Sequence, residues 1–205
     1  MQRGLRDMSH NMELRSRTSL KGLGRSYEAI VVGARSLVFD PEGVEKIYSA
    51  GFYGKPFGVK KPKPGVRYKG PLELSMLETL YLCEKGVLRL VMNGSEIGCE
   101  DFRRYASKIA ENFESQYLVY RDLRDRGYVV RSGMKYGVAF AVYEKGPGYE
   151  HAPYLVDVVE IEGNIDPIMI VRTGRLSHSV RKTLIYAIVS KSGDIRYIGF
   201  KWIKF

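Results

Sequence analysis

The chain has 205 residues, enough for one large or two small domains with cores of their own. Lysine and arginine number 33 against 23 acidic residues, a formal charge of +10 that suits a polyanionic partner and equally suits a solvated basic surface. No run approaches the ~18 apolar residues of a membrane span, and the charged N-terminus lacks a signal peptide's apolar region, so a soluble, cytoplasmic protein is expected.

Residues 1–25 are rich in Arg, Ser, Gly and Met without a sustained period and read as a basic arm. From Tyr27 the pattern predicts strands over Ala29–Val32 and Ser36–Phe39, then a short helix over Pro41–Ala50 that ends at Gly51. In residues 55–69, Lys55, Lys60, Lys61, Lys63, Arg67 and Lys69 are interleaved with aromatics, glycines and prolines. Such a stretch cannot form a helix or a central strand and reads as an exposed basic loop touching a polyanion. Ser75–Glu84 predicts a helix, Leu88–Met92 a strand and Asn93-Gly94 a turn. Further helices are predicted over Asp101–Phe113 and Glu114–Arg126, with a domain boundary where they abut, giving units at 26–113 and 114–205. Two cysteines, Cys83 and Cys99, are too few for a disulfide framework and lack Cys-x-x-Cys spacing, so both read as core thiols of an intracellular protein.

The rest is organised around Tyr136–Lys182. Alternation of Val138, Phe140 and Val142 predicts a strand up to Tyr143. Gly146-Pro147-Gly148 breaks it, and Tyr154–Ile161 after His151 predicts a second strand, so Tyr143 and His151 flank one loop. Ile168–Val171 reads as a short strand, and Leu176, Val180, Leu184, Ala187 and Ile188 predict a helix over Leu176–Val189. On that helix Arg175, His178 and Lys182 would share a face. The segment from Arg196, with Trp202, predicts a last strand.

Metal-free RNA cleavage needs a base for the 2′-hydroxyl, an acid for the 5′-oxygen and positive charge beside the reacting phosphate. A histidine can carry a proton to a leaving group near neutral pH, and a lysine can stabilise developing negative charge. A tyrosine, with a reference pKa of about 10, needs a nearby cation to serve as base; Lys182 is the natural candidate.

Three stretches, YLVYRDLRDRGYVVRSGMKYGVAFAVY, the loop ending in His151 with YLVDVVE, and RLSHSVRKTLIYAIV, closely resemble the archaeal tRNA-splicing endonucleases. LELSMLETLYLCEKGVLRL resembles that family's N-terminal domain. The resemblance implies an α/β (α+β) fold, a small N-terminal α/β domain followed by a restriction-endonuclease-like domain whose central mixed sheet is flanked by helices. It also implies cleavage of precursor tRNA at bulge-helix-bulge junctions without a metal or other cofactor, leaving 2′,3′-cyclic phosphate and 5′-hydroxyl ends. The family's catalytic Tyr, His and Lys fall on Tyr143 as base, His151 as acid and Lys182 as stabiliser. Its clamp on a flipped bulge base, supplied by the opposite catalytic subunit, falls on Arg175 and Trp202. The basic segment resembles an RNA-contacting loop of crenarchaeal catalytic subunits, which assigns RNA contact to Lys60, Lys61 and Lys63. Those subunits work as heterotetramers with a non-catalytic partner. The acidic turn that locks homotetrameric members is reduced here to Ser190–Asp194, so a homotetramer is not expected. The alternatives are a non-catalytic RNA-binding or scaffold subunit, and a metal-dependent nuclease using Asp157, Glu160 and Glu162.

Overall fold

The structure is a computed structural model that describes residues 26–63, 65–161 and 167–200, with Leu20, Leu23 and Gly24. The arm expected over 1–25 lies almost wholly outside the described residues, as do Trp202 and Glu162. Contacts divide the chain into two compact units between Phe113 and Glu114. Each unit is built on a mixed sheet, so the α+β class expected from the sequence holds.

In the first unit, β1 (Tyr27–Val32), β2 (Arg35–Val38), β3 (Lys55–Pro56), β4 (Leu72–Ser75), β5 (Leu88–Met92) and β6 (Ser95–Ile97) form one sheet in the order β3-β4-β2-β1-β5-β6. Only β1 and β5 pair in parallel. Helix α1 (Pro41–Gly51) starts where the Asp40 carboxylate accepts from Gly43 N at 2.9 Å, and it ends at Phe52, held in the left-handed region at φ 57. Helix α2 (Met76–Glu84) opens with a reciprocal box between Ser75 and Glu78. The same buried Glu78 carboxylate accepts from Gly54 N at 2.8 Å, fastening the start of the basic segment to the helix.

Helix α3 runs over Cys99–Ile109, earlier than the expected Asp101–Phe113. Asn112, at φ 54, interrupts the path, and Phe113 starts the next helix instead. Cys83 and Cys99 are not free thiols. They form a disulfide between the last turn of α2 and the first of α3, with Cα atoms 5.8 Å apart. The β5-β6 hairpin folds the chain back and brings the two helix ends together, a proximity that residue spacing does not reveal.

Helix α4 (Phe113–Asp125) starts at the division, and all but its first residue belongs to the second unit, which continues with β7 (Val129–Ser132), a 3-10 turn (Met134–Tyr136), β8 (Phe140–Tyr143), β9 (Tyr154–Glu160), α5 (Pro167–Ser179), β10 (Thr183–Val189) and β11 (Ile195–Phe200). The sheet order is β11-β10-β9-β8-β7, with only β9 and β10 parallel. Ala141, Leu155, Leu184 and Tyr186 join one apolar cluster, against which Ile170 of α5 packs. The Tyr120 ring of α4 lies 6.1 Å from that of Phe140. Arg124 of α4 is buried and donates to the Val130 carbonyl of β7 at 3.1 Å.

Two expectations fail here. Ile168–Val171 belongs to helix α5, and the helix expected over Leu176–Val189 ends at Ser179. After Arg181, at φ 53, the chain becomes strand β10, hydrogen-bonded on both sides. A central strand buried on both faces carries apolar residues at nearly every position, and such a run also satisfies helical spacing. β-branched Thr183, Ile185, Ile188 and Val189 favour the strand. Arg175, His178 and Lys182 therefore do not share a helix face: the first two lie in α5 and Lys182 immediately precedes β10.

Candidate active site

Three strand ends converge at one end of the second sheet. Tyr143 is the last residue of β8, Tyr154 opens β9 beside Val142, and Thr183 opens β10 beside Tyr154. Thr183 N also donates to the Pro153 carbonyl at 2.9 Å, extending the β9-β10 pairing by one residue. Lys182, Tyr143 and the His151-Ala152-Pro153 lead-in thus occupy the same end of three adjacent strands.

Lys182 is half-buried, and its Nζ donates to the Ala152 carbonyl at 2.5 Å. The ammonium is therefore tied to the backbone next to His151. Ala152 is itself buried in the apolar cluster, which fixes the base of the exposed His151 side chain. Tyr143 packs against the same cluster. Burial pushes its phenol above the ordinary value; Tyr136 and Glu150 add to the rise, and Lys135 and Arg131 oppose it. The opposing cations thus come from the turn after β7 and from β7 itself, and Lys182, the cation expected from the sequence, is engaged with Ala152.

The loop between Tyr143 and His151 is closed on itself. Glu150 accepts from Lys145 N at 2.5 Å, and Tyr149 N and Glu150 N both donate to the Gly146 carbonyl, at 3.2 and 3.3 Å. Gly148, at φ 92, takes a conformation that side chains disfavour. The Tyr154 hydroxyl donates to Glu144 at 3.0 Å; burial first, and then that carboxylate, push this phenol up to about 12. A compact loop of this kind presents His151 from a defined base.

Of the proposed base clamp, Arg175 is exposed on α5 and Trp202 lies outside the described residues. Among the rival carboxylates, Asp157 is turned inward and accepts from Ala139 N at 3.1 Å, and burial pushes its carboxyl up. Glu160 is exposed at the far end of β9 from Tyr154. Among the described residues, no group of three or more His, Cys, Asp or Glu side chains could hold a metal ion, and no helix is long and apolar enough to cross a membrane.

In the first unit the basic segment is fastened to α1 more firmly than its composition suggests. Tyr48 donates to the Pro62 carbonyl at 3.0 Å and Gly65 N to Ser49 Oγ at 2.9 Å. Arg67 is paired with Glu45 at 2.8 Å. Lys60, Lys61 and Lys63 remain exposed.

Sequence comparison decides the family. The description "tRNA intron endonuclease, catalytic C-terminal domain" matches residues 113–197, and "tRNA intron endonuclease, N-terminal domain" matches residues 27–103. A protein of Hyperthermus butylicus named tRNA-splicing endonuclease is 53% identical over 178 residues, 86% of this chain and 98% of that protein. The chain belongs to the tRNA intron endonuclease family. Proteins with the same name from Saccharolobus islandicus strain M.14.25 and Saccharolobus solfataricus are 47% and 46% identical over 179 residues, again 86% of this chain and 98% of each relative. The Tyr143-to-Lys182 constellation lies wholly within the part matched to the family's catalytic domain.

Side chains that sequence reasoning passed over surround the expected ones. Tyr136 lies under the Lys182 ammonium, Lys135 is felt at Tyr143, and Glu144 anchors the loop. A Lys-Tyr-Gly triplet before a strand carries no chemical signature, and only the fold shows what these residues adjoin.

Proposed function

We propose that this tRNA-splicing endonuclease cuts precursor tRNA at bulge-helix-bulge junctions by transesterification, with Tyr143, His151 and Lys182 as its catalytic groups. The observation that carries the reading is the strand register, which sets Tyr143, the His151 lead-in and Lys182 at one end of β8, β9 and β10. In the proposed step Tyr143, as phenolate, takes the proton of a 2′-hydroxyl while that oxygen bonds to the adjacent phosphorus. The bond from phosphorus to the 5′-oxygen breaks, and protonated His151 gives its proton to that oxygen. The products are a 2′,3′-cyclic phosphate and a 5′-hydroxyl. The Lys182 ammonium stabilises the extra negative charge on the phosphoryl oxygens, the role a metal ion fills in other nucleases.

Product chemistry tests this directly. Incubated with a bulge-helix-bulge RNA in excess EDTA, the assembled enzyme should still cut, and the downstream fragment should accept phosphate from a polynucleotide kinase without phosphatase treatment. Loss of cleavage on chelation with recovery on adding magnesium, or 5′-phosphate ends, would overturn the mechanism.

The exposed Lys60, Lys61 and Lys63 are assigned to RNA phosphates. Replacing all three by glutamine should weaken binding and reduce the slope of log affinity against log salt by roughly 2, since each lost phosphate contact removes about 0.7 to 0.9. An unchanged slope would make the segment a solvated surface only.

Arg175 and Trp202 are proposed to grip an extruded bulge base at the opposite catalytic subunit's site, within a heterotetramer completed by a non-catalytic partner. Sizing the chain alone and with its co-expressed partner tests the assembly. A catalytically active tetramer of this chain alone would remove the need for the partner.

A further inference from the structure

Lys135 lies in the 3-10 turn between β7 and β8, with its Nζ 4.7 Å from the centre of the Tyr136 ring. The Lys182 Nζ lies 5.5 Å from the centre of that same ring. The turn is tightly specified. Tyr136 N donates to the Gly133 carbonyl at 2.8 Å, and Gly137 N, from a left-handed residue at φ 69, donates to the Met134 carbonyl at 3.0 Å. Any side chain on Gly133 would come within 2.6 Å of Val138 and 2.8 Å of the Phe140 backbone, so the chain can approach β8 this closely only with glycine there. Tyr136 itself rests on the apolar cluster that also carries Tyr143.

An aromatic face attracts an ammonium without neutralising it, whereas a carboxylate would cancel the charge. Among the described residues neither Lys135 nor Lys182 forms a salt bridge with a carboxylate. Two like charges gathered at one ring repel each other unless an anion lies between or beside them. The Lys135 charge also reaches Tyr143, where it and Arg131 act against burial, Tyr136 and Glu150.

We propose that Lys135 is a second cation of the active site, held with Lys182 at the Tyr136 ring so that both ammoniums contact the phosphate being cut. The inference rests on the transesterification reading above. In that reaction the phosphoryl group passes from one negative charge toward two as the 2′-oxygen adds, so a second ammonium gains interaction energy in the transition state that it lacks in the ground state. Lys135 is then a catalytic residue, and Tyr136 is a positioning residue acting through its ring.

The test is single-turnover cleavage of a bulge-helix-bulge RNA by the assembled enzyme at saturating protein, with binding measured separately and Lys182→Ala as reference. Lys135→Ala should slow cleavage by about 10²- to 10³-fold, the scale for removing one group that stabilises transition-state charge. Its Kd should stay within about threefold of the parent, as expected for an interaction made mainly in the transition state. Lys135→Arg should recover part of the rate. Tyr136→Phe should keep it, and Tyr136→Leu should fall toward Lys135→Ala, a rescue by the ring that a hydroxyl-based or merely space-filling role would not give.

A parental rate for Lys135→Ala beside an inactive Lys182→Ala would overturn the second-cation assignment and leave the transesterification reading intact. A defect abolished by raising protein concentration would make Lys135 a binding contact only and overturn it likewise. Parental rates for both variants would remove the underlying reading and this inference with it.

Discussion

His151→Ala and Lys182→Ala should each lower single-turnover cleavage of a bulge-helix-bulge RNA by about 10² or more, while RNA affinity changes by less than about threefold. The two losses have different origins. Without an acid, the departing 5′-oxygen must leave as an alkoxide, and a positioned proton donor typically contributes 10²- to 10⁴-fold. Without Lys182, the charge that accumulates on the phosphoryl oxygens has one fewer fixed partner, and a preorganised donor of this kind is worth about 10²- to 10³-fold. Affinity should be spared, because a polyanion bound through several phosphate contacts loses little when one of them is removed. Lys182 also holds the Ala152 carbonyl, at 2.5 Å, so Lys182→Ala disturbs the base of His151 as well as removing charge. Lys182→Gln, whose neutral amide NH2 can still donate to that carbonyl, separates the two effects, and it too should lose the rate. A parental rate for either alanine variant at saturating protein would show that the residue takes no part in the chemical step.

In a His151→Ala background, the residual rate should climb about tenfold per pH unit from pH 6 to 9, close to 10³-fold in total. The sign follows from the burial of Tyr143, which holds its phenol above the ordinary value. A base acts only when deprotonated. Below its pKa the phenolate fraction rises tenfold with each unit, and a raised pKa extends that rise through the whole neutral range. Removing His151 leaves the base as the group whose protonation shapes the profile. Hydroxide alone would give the same slope, so the control is the His151→Ala/Tyr143→Phe double variant, whose rate should be lower at every pH in the range. A flat profile in His151→Ala, or a double variant as fast as the single one, would exclude Tyr143 as the base.

Local physics was enough for much of the fold. The capping box at Ser75 and Glu78, the Asp40-Pro41 start of α1 and the Asn93-Gly94 hairpin turn are decided by residues within a few positions of each other, and all stand in the structure. β9 was legible for the same reason, since a β-branched run after a glycine break has few alternatives. β10 was not. Its apolar residues serve two buried faces, and the choice between strand and helix rests on partners contributed by β9 and β11. The Cys83-Cys99 disulfide depends in the same way on a hairpin folding two helix ends together.

The candidate site divides along the same line. The order of Tyr143, His151 and Lys182, with the loop between the first two, could be read from the chain because residue type and motif order are one-dimensional. That Lys182 leaves the helix and bonds the backbone beside His151, that Tyr143 is half-buried, and that Lys135 and Lys182 meet at one ring were decided by tertiary structure alone. These facts depend on which strand ends the sheet register places together and on how much water the surrounding side chains exclude, and neither quantity is local to any stretch of sequence.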